Sequence, residues 1–441
     1  MTGAAPALVL RSATLAGGSV VAGLRLRGDT VADVRVGPAA VYALDPPGTV
    51  ATVPGDVVHD LNGYVLLPAP AEPHAHLDKA LLADRATNRT GDLAGAVEAM
   101  RSVGGSITPA DVLHRARRAA LLYLGNGATA IRSHVDVGGA AGLDHLEPLL
   151  RLRAELAGIL TLQLVALVAA PTTGREGADN RAVLVEALAR GADVVGGAPY
   201  LDPDPARATA FALAAAADAG VPVDLHTDET LDPASTGLSD LARLVRATGF
   251  PQPVTASHCA SLGMLPPEHA TRIADDVARA GVRVVALPQT TLSLQGRDRG
   301  AAVPRGLSAL RTLLDAGVVV AAGGDNLRDP FNPLGRADPL EAAALLVGAG
   351  QLRPEEAWDA VSAAAREVLG LPAVPGHGVL RPGAPAELLA VRASGLRDAL
   401  AGADADRTVV SRGRVAVRTR VNRTYPFGIS VTTDALVNRL T

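Results

Sequence analysis

The stretch AEPHAHLDKA, residues 71–80, places His74, His76, Asp78 and Lys79 side by side. In an extended chain, residues i and i+2 point to the same side, so both imidazoles can share one face. Neutral imidazole is a good donor to a borderline divalent metal. Lys79 is the only lysine among 41 basic residues. A lysine offers a compact ammonium on a flexible stem, whereas an arginine is a rigid fork. A chain that uses arginine everywhere else keeps this lysine either for a site role, facing a substrate or bracing Asp78, or by chance survival on the surface.

Similar residues recur further on. His134 and Asp136 lie in RSHVDV, His226 and Glu229 in DLHTDE, His258 in VTASH, and Asp325 and Asn326 in GGDN. Each follows a short apolar run. His74, His76, His226 and Asp325 together make three imidazoles and one carboxylate, a donor set suited to one zinc or iron ion. His134 and Asp136 read more simply as a pair bracing the rim. His59, His114, His145, His269 and His377 fall on loops or helices and carry ordinary roles. Cys259 beside His258 reads as a small buried apolar residue.

The elements that must position these residues alternate regularly. Eight apolar runs, YVLLPAPAEPHAH, ATAIRSHVDV, LTLQLVALVAA, ADVVGGAPY, VPVDLHTDE, PVTASHC, VRVVALPQ and VVVAAGGDN, are separated by helix-length segments. One segment has Thr108 as N-cap, Pro109 in the first helical position, and Gly125 and Gly127 at its end. Another helical segment is PEEAWDAVSAAAREVLG. Eight βα units over residues 66–375 predict a (β/α)8 TIM barrel, in which chemistry gathers at the C-terminal ends of the strands. An open doubly wound sheet is the alternative, and eight regular units favour closure. Residues 1–65 and 376–441 read as strands and turns, with RGDT at 27–30 as a hairpin turn. They are expected to fold together as a small β-sandwich domain.

Bulk properties narrow the function classes. A net charge of −4 and a pI near 6.2 give no footprint for nucleic acid or an anionic membrane. Aromatic residues are 2%, which disfavours base stacking. One cysteine excludes an intrachain disulfide and suits a reducing compartment. No secretory leader pattern and no long apolar span is visible. The expectation is a soluble cytoplasmic protein, with a homo-oligomer left open.

The motifs EPHAHLDK, RSHVDV, LQLVA, GADVVGGAP, DLHTDE, VTASH, LQGR and GGDNLRDPFNPLG, in this order, resemble the amidohydrolase superfamily. More narrowly they resemble metal-dependent cytosine deaminases, and the turn GVLRPGAPAELL resembles that family's small β-domain. The resemblance implies one metal on His74, His76, His226 and Asp325, because strand four ends in VVGGAPY, without the lysine or glutamate that holds a second metal in relatives. It implies that Asp325 also accepts the water's proton, that Glu229 shuttles protons, and that His258 assists the attacking water. Metal-activated hydroxide would then convert a cyclic amidine into a ring carbonyl and ammonia. Lys79, Gln295 and Asn326 are implied substrate-binding residues. Ala169 stands where cytosine deaminases have a glutamine that reads the ring's amide edge. Cytosine is therefore expected to be a poor substrate unless Thr172, Thr173 or Gln289 replaces that contact. LDK and the Asp325-Asn326 pair resemble s-triazine N-alkylamide hydrolases, although those differ at the glutamate kept here. Hydrolysis of an N-substituted ring amine or cyclic amide is the runner-up. An inactive binding homologue is a third reading, disfavoured by retention of the ligands, Glu229 and His258.

Overall fold

The computed structural model describes residues 7–16, 20–27, 30–37, 55–373 and 382–424; His377 and the middle of RGDT lie outside them. Both flanks of the chain enter one nine-stranded sheet. Its strands are β1 (Leu8–Arg11), β2 (Ala13–Leu15), β3 (Val20–Arg27), β4 (Thr30–Gly37), β5 (Val57–Asp60) and β6 (Tyr64–Pro68) from the first flank. The barrel strands follow as β7 (Glu72–Ala75), β8 (Ala130–Val137), β9 (Thr161–Val168), β10 (Val194–Gly197), β11 (Val223–Thr227), β12 (Val254–His258), β13 (Arg283–Ala286) and β14 (Val320–Ala322). The last three strands, β15 (Leu388–Arg392), β16 (Arg407–Ser411) and β17 (Arg414–Arg418), return to the first sheet. There the order is β17-β16-β15-β6-β2-β3-β1-β5, with β4 on β3.

Alternation decides what that sheet covers. Val65 and Leu67 of β6, Leu389 and Val391 of β15 and Val409 of β16 join the barrel's apolar core. Leu66, Leu388, Ala390 and Val410 point the other way, into the small domain's own core. Gly127 lets the layers close, since a Cβ there would meet Leu389 Cδ2 at 2.7 Å and its φ is +113°.

The first apolar run is not one strand, as its pattern suggests, but two. β6 belongs to the flanking sheet and β7 to the barrel. Pro68 ends β6 and Pro70 follows in the link to β7, and a proline has no N–H for a continuous ladder. The helix Pro109–Gly125 starts at Thr108, whose hydroxyl accepts from Asp111 N. PEEAWDAVSAAAREVLG gives two helices, Pro354–Val361 and Ala363–Val368, broken at Ser362. The Ser362 hydroxyl donates to Trp358 O at 2.6 Å, a local bond that competes with helix continuation.

The eight barrel strands pair in parallel from β7 to β14. The circle closes through a parallel bridge between Ala75 and Asp325, with Asp325 N donating to His74 O at 3.0 Å. The buried carboxyl of Glu72 spans this seam. It accepts from His74 N at 3.1 Å and from Gly324 N at 2.8 Å. Gly323 is needed beside it, because a Cβ there would fall 2.0 Å from Glu72 Oε1. Burial pushes the Glu72 pKa up to about 8, against the lowering effect of its backbone hydrogen bonds. At the barrel's base Arg132 is enclosed. It donates to Asp224 Oδ2 at 2.8 Å, Val368 O at 2.7 Å and Gln163 Oε1 at 3.1 Å. No helix among the described residues is long and apolar enough to cross a membrane.

The seam can be tested directly. Glu72→Ala leaves two buried backbone N–H groups without their acceptor, at ~1–3 kcal/mol each. Urea unfolding should show a loss of ~2–5 kcal/mol. A loss below ~1 kcal/mol would mean that the carboxyl does not hold the seam.

Candidate active site

The C-terminal ends of β7, β11, β12 and β14 converge. His76 Nε2 lies 3.3 Å from both His74 Nε2 and His226 Nε2. Asp325 Oδ1 lies 3.2 Å from His76 Nε2 and 3.6 Å from His74 Nε2. Both Asp325 oxygens are buried with no hydrogen-bond partner. Burial, reinforced by neighbouring imidazoles, drives the pKa values of His74 and His226 well below the ordinary histidine value, so protons do not fill the gap. Four electron-rich atoms so close in a dry site repel one another unless a cation sits among them. A divalent metal fits this donor set of three imidazoles and a carboxylate.

The other side of His74 is tied to the barrel's base. His74 Nδ1 lies 2.9 Å from Ser257 Oγ, which donates to Asp224 Oδ1 at 2.9 Å. Asp224 also holds Arg132. The chain of bonds places the His74 proton on Nδ1 and leaves the Nε2 lone pair facing the cluster. Sequence reading missed Ser257, Asp224 and Glu72. Period-two alternation could have found the acids: Asp224 precedes His226, and Glu72 precedes His74, by two positions.

Lys79 is 5% exposed, so the surface reading fails. Its Nζ lies 2.8 Å from Asp136 Oδ1, 3.6 Å from Asp78 Oδ1 and 3.3 Å from His76 Nδ1. Burial alone would discharge the ammonium, but Asp136 and Asp78 outweigh it and raise the lysine's pKa. Asp78 is fixed in turn by His145 Nδ1 at 3.1 Å and Asp136 N at 3.1 Å. His145 thus has a place in the site's support that its position outside the strand ends did not suggest. His134 and Asp136 do not brace each other. His134 stacks on His74 with ring centroids 3.9 Å apart, and its nearest acid is Asp224 at 3.7 Å.

His258 bridges the cluster to Glu229. Its Nε2 lies 4.0 Å from Asp325 Oδ2 and its Nδ1 lies 3.8 Å from Glu229 Oε1. His258 and Asp325 have φ of 71° and 62°, a left-handed backbone that non-glycine residues adopt at local cost and that gathers at functional sites. Burial raises the Glu229 pKa. Tyr200, which the sequence did not single out, donates to Glu229 Oε2 at 2.8 Å. Gln295 is close by, but its amide donates to the backbone carbonyl of Glu229 at 3.2 Å. The Asn326 amide donates to Asp329 Oδ2 at 2.7 Å. Thr172 and Thr173 both give their hydroxyls to Asp202, and the Gln289 amide donates to Glu341. The three substitutes considered for the missing ring-edge glutamine are therefore engaged elsewhere. Cys259 is fully buried in the apolar core.

Comparison with known proteins agrees with this geometry. The amidohydrolase family pattern matches residues 80–417. A pterin deaminase from Rhizobium rhizogenes (strain K84 / ATCC BAA-868) is 32% identical over 419 residues, covering 93% of this chain and 94% of that protein. A 5-methylcytosine deaminase from Klebsiella pneumoniae, crystallised with 5-fluorocytosine, superposes with a TM-score of 0.80 at 26% identity, covering 95% and 99% of the two chains. An N-isopropylammelide isopropylaminohydrolase from Burkholderia multivorans ATCC 17616 gives 0.77 at 29% identity, covering 94% and 99%. The chain belongs to the amidohydrolase family and is a hydrolase of carbon–nitrogen bonds in heterocycles.

Proposed function

We propose that the enzyme deaminates an aminated bicyclic heterocycle of the pterin type. Water replaces the exocyclic amine at the amidine carbon, giving a ring carbonyl and ammonia. The convergence of His74, His76, His226 and Asp325, with Glu229 and His258 beside them, carries the reading. Ala169 carries no amide to read a pyrimidine's edge, and Thr172, Thr173 and Gln289 are engaged elsewhere, which argues against cytosine. The pterin deaminase likeness over nearly the whole chain supports the pterin class. Release of an alkylamine from an N-substituted ring is the second reading, favoured by the likeness to the isopropylammelide enzyme.

His74, His76, His226 and Asp325 would hold one zinc or iron ion. When bound, such an ion supplies Lewis acidity that brings the pKa of water from 15.7 to about 7. Asp325 Oδ2 faces His258, so these two side chains take up the attacking water's proton and hold its direction of approach. Glu229, its pKa raised by burial, carries a proton to the ring nitrogen and then to the leaving amine. Lys79 has a further use. With His76 Nε2 turned to the ion, His76 Nδ1 holds a proton and cannot accept one. One N–H of the ammonium donates to Asp136 and Asp78 is an ion-pair partner at 3.6 Å, which leaves a donor for a carbonyl or anionic ring edge. A cytoplasmic setting suits the single buried thiol.

Elemental analysis should find one metal per chain, and two would overturn the ligand assignment. Ser257→Ala should weaken metal binding ~10–100-fold in chelator competition, because it frees the His74 ring; unchanged affinity would remove Ser257 from the support. Glu229→Gln should keep metal and fold but lose ~10²–10⁴ in turnover. Retention of more than about a tenth of the rate would place the proton carrier elsewhere. An ammonia-release panel of pterin, cytosine, creatinine-like lactams and amino-triazines tests the substrate. Pterin should exceed ~10⁴ M⁻¹s⁻¹ in kcat/KM, with cytosine far behind. If cytosine proves best, the reading of Ala169 is wrong; if alkylamine release from an N-alkyl triazine is faster, the second reading replaces the first.

A further inference from the structure

Tyr200 lies in the turn Pro199–Leu201 that follows β10. Its hydroxyl donates to Glu229 Oε2 at 2.8 Å, while Glu229 Oε1 lies on the His258 side, 3.8 Å from Nδ1. The last torsion of a glutamate is broad and roughly two-fold, so packing alone does not choose which oxygen faces a substrate. Here one oxygen has a fixed donor, and Gln295 holds the backbone carbonyl of the same residue at 3.2 Å. Burial and the neighbouring carboxylate keep the phenol's pKa well above its ordinary value, so the hydroxyl remains a donor. A cavity of about 260 Å³, lined by Tyr200, Thr209, Leu225 and Thr236, borders the ring and gives it room to move once that bond is absent.

We propose that Tyr200 is a positioning residue that fixes the Glu229 carboxylate and selects Oε1 as the oxygen that exchanges protons with the ring nitrogen and the leaving amine. The proposal rests on Glu229 being the proton carrier.

The test compares zinc-loaded wild type with Tyr200→Phe, which keeps the ring and removes the hydroxyl. Metal content and Tm should be unchanged. On pterin, kcat should fall ~10-fold or more, a part of the ~10²–10⁴ that a positioned acid/base contributes, while KM stays within about twofold. In a Glu229→Gln background the same change should add little, since both act through one group. A kcat within about twofold of wild type, a loss confined to KM, or a full additional loss in the Gln background would each overturn the proposal. If wild type turns over no ring in the panel, the substrate reading fails by itself. Tyr200 is then judged from crystal structures of the two zinc-loaded proteins. The Glu229 carboxylate should be rotated or split in the variant, and an unchanged carboxylate would overturn the role.

Discussion

Four electron-rich atoms with separations of 3.2–3.6 Å among them dominate this molecule. Buried together with lone pairs converging, they repel, and only the surrounding fold keeps them together. The barrel seam does much of that work. β14 closes on β7 just where Asp325 must face His74, so one hydrogen bond, from Asp325 N to His74 O, closes the sheet and brings together half of the cluster. The left-handed backbones of His258 and Asp325 belong to the same bargain: local conformational strain is held by a closed, well-packed barrel.

Charge around the cluster is arranged in two supports. Below it, Arg132, Asp224 and Ser257 lead from the barrel's base to the back of His74. Beside it, Lys79 with Asp136, Asp78 and His145 backs His76. Within these two supports each buried charge is paired, as enclosure demands. The lysine is explained by space: a compact ammonium fits between two carboxylates and an imidazole where a planar fork would not.

Much of the barrel and the clustering of these residues at its rim was legible because both follow short periods. Alternation identified His74 and His76 as neighbours on one face, and the βα rhythm placed His226, His258 and Asp325 at a common rim. The first run misled because alternation is blind to which sheet a strand joins, and Pro68 and Pro70 carried the boundary instead. The break at Ser362 depends on a side-chain bond that helix propensity does not register. Tyr200 was invisible for another reason. It sits in a short turn with no periodicity, and its importance comes wholly from a partner on the next strand's loop. Lys79 stood out by rarity, yet Asp136 and His145, which define its surroundings, arrive from a different βα unit.

The pairing of β6 with β15 sets a constraint on biosynthesis. Val65 lies against Val391 and Leu67 against Leu389. During translation β6 emerges early, next to the strand that starts the barrel, and one of its edges stays open until nearly the whole chain has left the ribosome. The nascent enzyme therefore carries an unpaired, strongly apolar edge through most of its synthesis, the kind of edge that invites wrong pairing. Its maturation is gated by its last strands, and a stalled or shortened chain would expose that edge to quality control even with all eight barrel strands already made.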